Sequence, residues 1–533
     1  DSATVTVGGR FYATTDASNG VIDMGTLNIL DGGTIKLTTD GSGDATVVNT
    51  CTTCNVGLAF ETSTIRGDLI AKADSGNIEN VLGNTLTVSL TSSFQTGGSG
   101  ADINLNQTNA LSGEVTLNTT GSGGDVILNS GTTALQLGTS AASLATSVSG
   151  NLDITAGAVV TDLDGLTVAG TTSITADNAG TKQNVTLDHT SNDFTGAVSV
   201  IGAAVQLVDA NAIDLGTTTT TGTYQVTATA GGDITDSGTL TIGNAATFTA
   251  AAGRSIYLDN LDASNNLTFG IHTFSGAVTF STPSGSLLNV TVRNSAAFDF
   301  GAALTLAQVS SAGGNLILTA GGNVTQTGGA LTVPGTTTVS AAGNTVTLSN
   351  SSNNFTGAVS IDALTVDLED ANAIVLGAST VTGDYAVEAG NVITQIAALA
   401  ITGVTTLEAG AGNNITLDNV SNNFSNAVKI TSGDNVTLVD ADTIDLGAST
   451  VSGTYAVTAK LGNITQSGNL SVTDTSTFET EAANGTILCG NPLCTSPGGT
   501  NTFSNTVKLT TTGSSAHAYI DNGTTALQIA DDT

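Results

Sequence analysis

One unit recurs along this chain and restricts its fold more than any other feature. NNFTGAVSI (353–361) returns as NNFSNAVKI (422–430), so Phe355 and Phe424 stand 69 residues apart. Between them come EDANAIVLGASTVTGDYAV (369–387), ITQIAALAITG (393–403) and GNNITLDN (412–419), and the next copy repeats these in order as VDADTIDLGASTVSGTYAV (439–457), ITQSGNLSV (464–472) and NGTILCG (484–490). The same opening occurs as NDFTGAVSV (192–200), HTFSGAVTF (272–280) and, with Leu111 in the Phe position, NALSGEVTL (109–117). From Leu111 the anchors fall at Phe194, Phe274, Phe355, Phe424 and Phe503, at intervals of 83, 80, 81, 69 and 79 residues. Near-periodic self-similarity with variable insertions marks a stacked repeat architecture whose insertions sit in outside loops.

Within the unit, segments of four to seven residues alternate β-branched or apolar residues with Thr, Ser, Asp or Ala, and Gly-Asn, Gly-Gly or Asp-Gly turns separate them. No helical period persists. Val359, Val387, Leu407 and Val428 occupy similar strands at steps of 28, 20 and 21 residues, which average 23. Three short strands with three tight turns need about that length. The expected fold is therefore an all-β parallel β-solenoid with about 23 residues per three-strand coil, three coils to the 69-residue unit, in imperfect superrepeats of 69–83 residues. Residues 1–533 read as one elongated solenoid, with the weakest repeat match in 1–100 and loop insertions near 51–54 and 489–499. Stacked at ~4.8 Å per coil, it would be a rod on the order of 110 Å long. A string of antiparallel sandwich domains would instead need repeats of ~100 residues and linkers.

Composition agrees. Hydrophobic residues make up 39%, aromatics 4% and charged residues 10%, with 65 Gly, 4 Pro and no Trp. That is too apolar and too regular for disorder and too poor in helix formers for helical repeats. No apolar run reaches the length of a membrane-spanning helix, and no signal peptide opens the chain, as expected of a mature or excised product. Val, Ile, Leu and Ala are expected to fill a narrow core, with the repeat Phe residues and Tyr224, Tyr385 and Tyr455 packed inside it. Gly-Asn pairs such as Gly322-Asn323, Gly343-Asn344, Gly412-Asn413 and Gly462-Asn463 suit corners with left-handed backbone.

NDFTGAVSV, VDANAIDLG, STVSGTYAV, GNITQSGNLSV and GAGNNITLDN resemble the β-strand repeats of very large bacterial exoproteins related to filamentous haemagglutinin. The likeness covers nearly the whole chain and is strongest from about 180 to 480. It implies a right-handed β-helix in a secreted, elongated adhesin or surface filament. The N-terminal secretion-recognition domain and C-terminal membrane barrel of that family are not seen here.

The net charge of −34, from 44 acidic and 10 basic residues, makes nucleic acid a poor partner. Clusters at Asp40 and Asp44, at Asp162 and Asp164, and at Asp440, Asp442 and Asp445 could offer oxygen ligands to Ca²⁺, although none forms an EF-hand loop. No cofactor is required by this reading. Sequons at Asn184, Asn266, Asn289, Asn323, Asn414, Asn435 and Asn463 fit a turn-then-strand grammar better than glycosylation in a bacterial chain. Cys51/Cys54 and Cys489/Cys494 form two local pairs, read as loop-stapling disulfides of a secreted protein.

Enzymatic readings are weaker. The cations are scattered singly, the three His (189, 272, 517) show no triad or ligand spacing, and no catalytic motif is present, so a non-enzymatic protein is expected. The alternative is a carbohydrate-active β-helix enzyme, a polysaccharide lyase or hydrolase, whose carboxylate pair could come from adjacent coils. Ice binding would need stricter coil regularity. Thr34–Thr39 (TIKLTT) matches Thr506–Thr511 (TVKLTT), so neither end reads as a diverged cap. Uncapped ends expose strand edges, and a second copy stacked head to tail would cover them. The expectation is a secreted bacterial filament subunit or adhesin shaft at the cell surface or in the matrix, touching a surface carbohydrate or a receptor on a host or neighbouring cell.

Overall fold

The computed structural model describes residues 3–16, 18–140, 145–259, 271–309, 311–489 and 501–530. Two compact units divide the chain: Asp1–Gly276 with Ser281–Gly285, and Ala277–Phe280 with Ser286–Thr533. Each is a parallel β-solenoid, and together they count about 22 turns with stacked coils about 22 residues apart. Strands are short and pair almost entirely in parallel with the strand one turn on, as Ala45–Asn49 with Leu69–Ala73, and Leu69–Ala73 with Ser92–Thr96. Alternation works as expected: along Tyr224–Ala228 the burial runs inside, outside, inside, and Val226, Leu207 and Phe248 stack as neighbours in the core.

The superrepeat is not three turns long. In the second unit, strand Val359–Asp370 pairs through its first half with Ile374–Leu376 and Ser379–Val381 and through its second half with Tyr385–Ala389. One ladder passes Val359, Leu376 and Gln395, continuing beside them as Ile393, Ile415 and Val436. The opposite ladder passes Val366, Tyr385, Thr405 and Val428. Val428, the sequence counterpart of Val359, thus lies on the other side, between Leu417 and Leu438 of the first ladder along the chain. Likewise Tyr455, counterpart of Tyr385, joins the first ladder beside Val436. Each repeat therefore spans about three and a half turns, and successive repeats present the same residues on opposite faces. The first unit behaves identically: Val115 leads to Leu137, while its counterpart Val198 pairs with Thr172 in the other ladder. The 28-residue step from Val359 to Val387 is one such crossing of faces.

The recurrent Leu-Gly before the Ala-Ser-Thr or Thr-Thr run marks a bend in the coil. At Gly216 and Gly377 one flat strand gives way to two short ones, and a Cβ there would meet the Ser199 or Ser360 Oγ at 2.2 Å. The ladder interrupted by the bend is repaired by a buried hydroxyl two residues on. Thr218, Ser379 and Ser449 accept the N–H of Val200, Ile361 and Ile430 (3.3, 3.1 and 3.3 Å) and donate to the carbonyls of Gly216, Gly377 and Gly447.

Of the four Gly-Asn corners, only Gly343 has left-handed backbone, with φ +75°. Gly322 and Gly462 are needed for close approach instead, since a Cβ would lie 2.6 Å from Ala297 N and 2.5 Å from Thr443 N. Gly403 is tighter still, 2.2 Å from the carbonyl carbon of Gly383. Because backbone rather than a flexible side chain blocks it, Gly403→Ala is expected to cost about 3 kcal/mol. Chemical denaturation checks this; a loss within ~0.5 kcal/mol would show that the stack can slide apart.

Candidate functional site

The residues with recurring polar chemistry point inward. Asp209, Asp370 and Asp440 each end a strand and are buried. One carboxylate oxygen of each accepts the N–H of the repeat Phe (Phe194, Phe355, Phe424) at 2.8, 2.6 and 2.7 Å. The other accepts the N–H two residues on, at 2.6, 2.6 and 2.7 Å. Burial pushes all three carboxyls above the usual Asp range, against the downward pull of those hydrogen bonds. In the last repeat Asn522 takes the place, its Oδ1 accepting from Phe503 N at 2.7 Å.

A second inward constellation escaped the sequence reading. Two residues before four of the five repeat Phe, a buried Asn accepts the backbone N–H of a Leu one turn back: Asn192 from Leu166, Asn353 from Leu331, Asn422 from Leu399 and Asn501 from Leu470, at 2.8–3.0 Å. Gln326, Gln395 and Gln466 clasp three of these side chains through paired amides, and Asp162 holds Asn192 at 2.7 Å. The signal was present: each Gln closes an Ile/Val-Thr-Gln triplet 27, 27 or 35 residues before its Asn. It was missed because partners that far apart meet only once the coil length is fixed.

Corner Asp and Asn residues have a third role. Asp44 Oδ1 accepts Asp68 N, Asp68 Oδ1 accepts Thr91 N, and Asn414 and Asn435 accept the N–H of Asn435 and Thr454, each from the following turn. The sequon residues Asn184, Asn289, Asn323 and Asn463 do the same; Asn266 lies outside the described residues. The proposed calcium carboxylates are distributed accordingly. Asp40 accepts Gly41 N, Asp440 is held in the core, Asp442 is exposed and Asp445 accepts the Thr465 hydroxyl. Among the described residues no three His, Cys, Asp or Glu side chains gather as a metal-holding group.

Phe194, Phe274, Phe355, Phe424 and Phe503 are at most 2% exposed, and Tyr224, Tyr385 and Tyr455 are fully buried. Edge-to-face contacts run Tyr224–Phe248–Phe274 and Tyr455–Phe478–Phe503, with centroids 5.8–6.0 Å apart. Cys51 and Cys54 form a disulfide with Cα atoms 5.8 Å apart, both buried. Cys489 ends a strand, and Cys494 lies outside the described residues.

The outer faces carry shallow features. A hollow of about 320 Å³ lies over Ile70, Ser93, Gln95 and Thr116. Its carboxylates are engaged: Asp68 accepts from Thr91, and Glu114 holds Thr139 and Ser140, which lowers its titration below the usual Glu range. In the second unit Glu369, Glu388 and Glu408 stack in register on three successive turns. Partial burial, then the charges of Glu388 and Asp367, raises Glu369 above the usual Glu range. Like charges directly opposite across strands oppose folding. Glu388→Gln is therefore expected to stabilise the unit by about 0.5 kcal/mol and to bring the Glu369 titration down, followed by denaturation and carboxyl NMR. An unchanged Glu369 titration would rule the coupling out.

This arrangement defines a parallel β-solenoid repeat protein whose conspicuous polar residues hold its turns together. The chain belongs to the family of repeats of unknown function DUF5649, which it matches over residues 42–118, 122–201, 202–281, 288–362, 363–431 and 433–510. Every matched repeat ends three residues after the Val of the opening motif, so the family repeat is the unit of about three and a half turns. No curated protein and no solved structure matches the chain. No described helix is long and apolar enough to cross a membrane.

Proposed function

We propose that this protein is a non-enzymatic structural scaffold: the shaft of an adhesin or a filament subunit, secreted by a bacterium to its surface or matrix. The observation that supports this best is that the recurring carboxylates and amides are spent on joining one turn to the next. The Cys51–Cys54 disulfide fits an oxidising, extracellular setting. Needing no cofactor, such a shaft works through stiffness and a long polar surface, with a surface carbohydrate or a cell receptor as partner. Copies of the chain stacking end to end, coil on coil, belong to this reading.

Negative-stain electron microscopy of the purified chain, in calcium and in chelator, tests the reading. Elongated particles or fibres are expected, and loss of fibres in chelator would assign calcium to their contacts. Compact particles, or turnover of a polysaccharide panel by the same preparation, would overturn the scaffold reading.

A further inference from the structure

The inward Asn of the repeat is replaced once, by His272. Its imidazole is fully buried, and its Nδ1 accepts Leu240 N–H at 3.1 Å, the bond that Asn192, Asn353, Asn422 and Asn501 make elsewhere through Oδ1. The residue that clasps it is also changed: where three other repeats use Gln, Asp236 stands with Oδ2 3.4 Å from His272 Nε2, both side chains wholly buried. Asp236 Oδ1 accepts Asp259 N at 2.9 Å. With Nδ1 occupied as an acceptor, a neutral ring carries its proton on Nε2, 3.4 Å from Asp236 Oδ2 but not hydrogen-bonded to it. The pair keeps the backbone bond of the Asn–Gln clasp but not its paired amides, since Asp236 has no N–H to donate back, and unlike an amide the imidazole can take up a proton.

We propose that His272 and Asp236 form an acid-sensitive joint, a single turn whose inter-turn clasp is broken by protonation of His272 while the Asn-clasped turns stay closed. A proton on Nδ1 would set two donors, the ring N–H and Leu240 N–H, against each other, and the backbone bond fastening Leu240–Ile242 to the turn of Phe274 is lost. Among the described residues, these charged groups lie toward the ring. Asp236 lies on the preceding turn, Asp214 one turn further back beside Asp236, and Asp259 contributes its backbone N–H. The ion pair with Asp236 offsets part of the loss, but Leu240 N–H is left buried without its acceptor. The neighbouring ring is Phe274, with centroids 5.7 Å apart, which gives the new charge no hydrogen bond. Protonation therefore loosens this turn ahead of the others.

The test is hydrogen exchange on the full purified chain at about pH 7.5 and about pH 5, with protection corrected for intrinsic rates. Protection of Leu240 is expected to fall about tenfold relative to Leu399 and Leu470 on acidification, the worth of one buried hydrogen bond. His272→Asn, which installs the residue of the other repeats, should abolish that fall. Should the single substitution fold poorly, His272→Asn combined with Asp236→Gln rebuilds the complete clasp of those repeats and should give the same pH-independent protection. No relative fall in the natural chain, or an equal fall in the substituted chains, would overturn the proposal.

Discussion

Phe424→Ala is expected to destabilise the second unit by about 3–5 kcal/mol, the usual result of emptying a fully buried aromatic site. Phe424 is 1% exposed, and its strand is held on both sides, by Ile401 one turn back and by the Asp440 carboxylate. Parallel backbone ladders fix the turns above and below, so the site cannot close up cheaply. Because a solenoid turn touches only its neighbours, the damage should stay local. Hydrogen exchange is expected to speed up in strands Leu399–Ile401 and Val436–Asp440 and to leave strands before residue 100 unchanged. Denaturant titration gives the magnitude; a loss below ~1 kcal/mol would mean that the repeat Phe is not a packing anchor.

The second large effect concerns Asp440. Asp440→Ala leaves the buried backbone N–H of Phe424 without its acceptor and frees that of the exposed Asp442, and is expected to cost about 2–3 kcal/mol. Asp440→Asn keeps one acceptor, as Asn522 does for Phe503, and is expected to cost about 1 kcal/mol at neutral pH. The pH dependence separates the roles. The Asp440 carboxyl titrates above the usual Asp range, because burial disfavours the charged form. A carboxyl raised by folding contributes stability that is fully present below the unfolded value and is lost as pH rises through the folded one. On acidification toward about pH 4 the natural chain should therefore gain stability relative to Asp440→Asn. Relief of the −34 net charge acts on both proteins almost equally, so their difference isolates this group. A difference that stays flat with pH would falsify the assignment.

Much of this could be read from the residues. The alternation of Val-Thr-Leu and Tyr-Ala-Val strands, the insertion-tolerant period and the buried repeat Phe all express local geometry: a strand turns successive side chains to opposite faces, and the repeat states where each strand begins. The six described sequon Asn do sit at corners, although their bond to the next turn could not be seen. The Gly-Asn corners show the limit. Gly322 and Gly462 mark positions where another turn's backbone comes too close for a Cβ, and only Gly343 supplies the left-handed conformation that a local reading assigned to all of them.

What the sequence alone determined was the repeating strand grammar, the all-β parallel stack and the residues that fill its core, because these depend on interactions between near neighbours in the chain. Tertiary structure alone decided that Val359 and Val428 face opposite ways, that Asp440 plugs the core, and that Asn422 meets Gln395 while His272 meets Asp236. Each of these pairings depends on where a turn of variable length closes, and that length is set jointly by three corners and the packing between them.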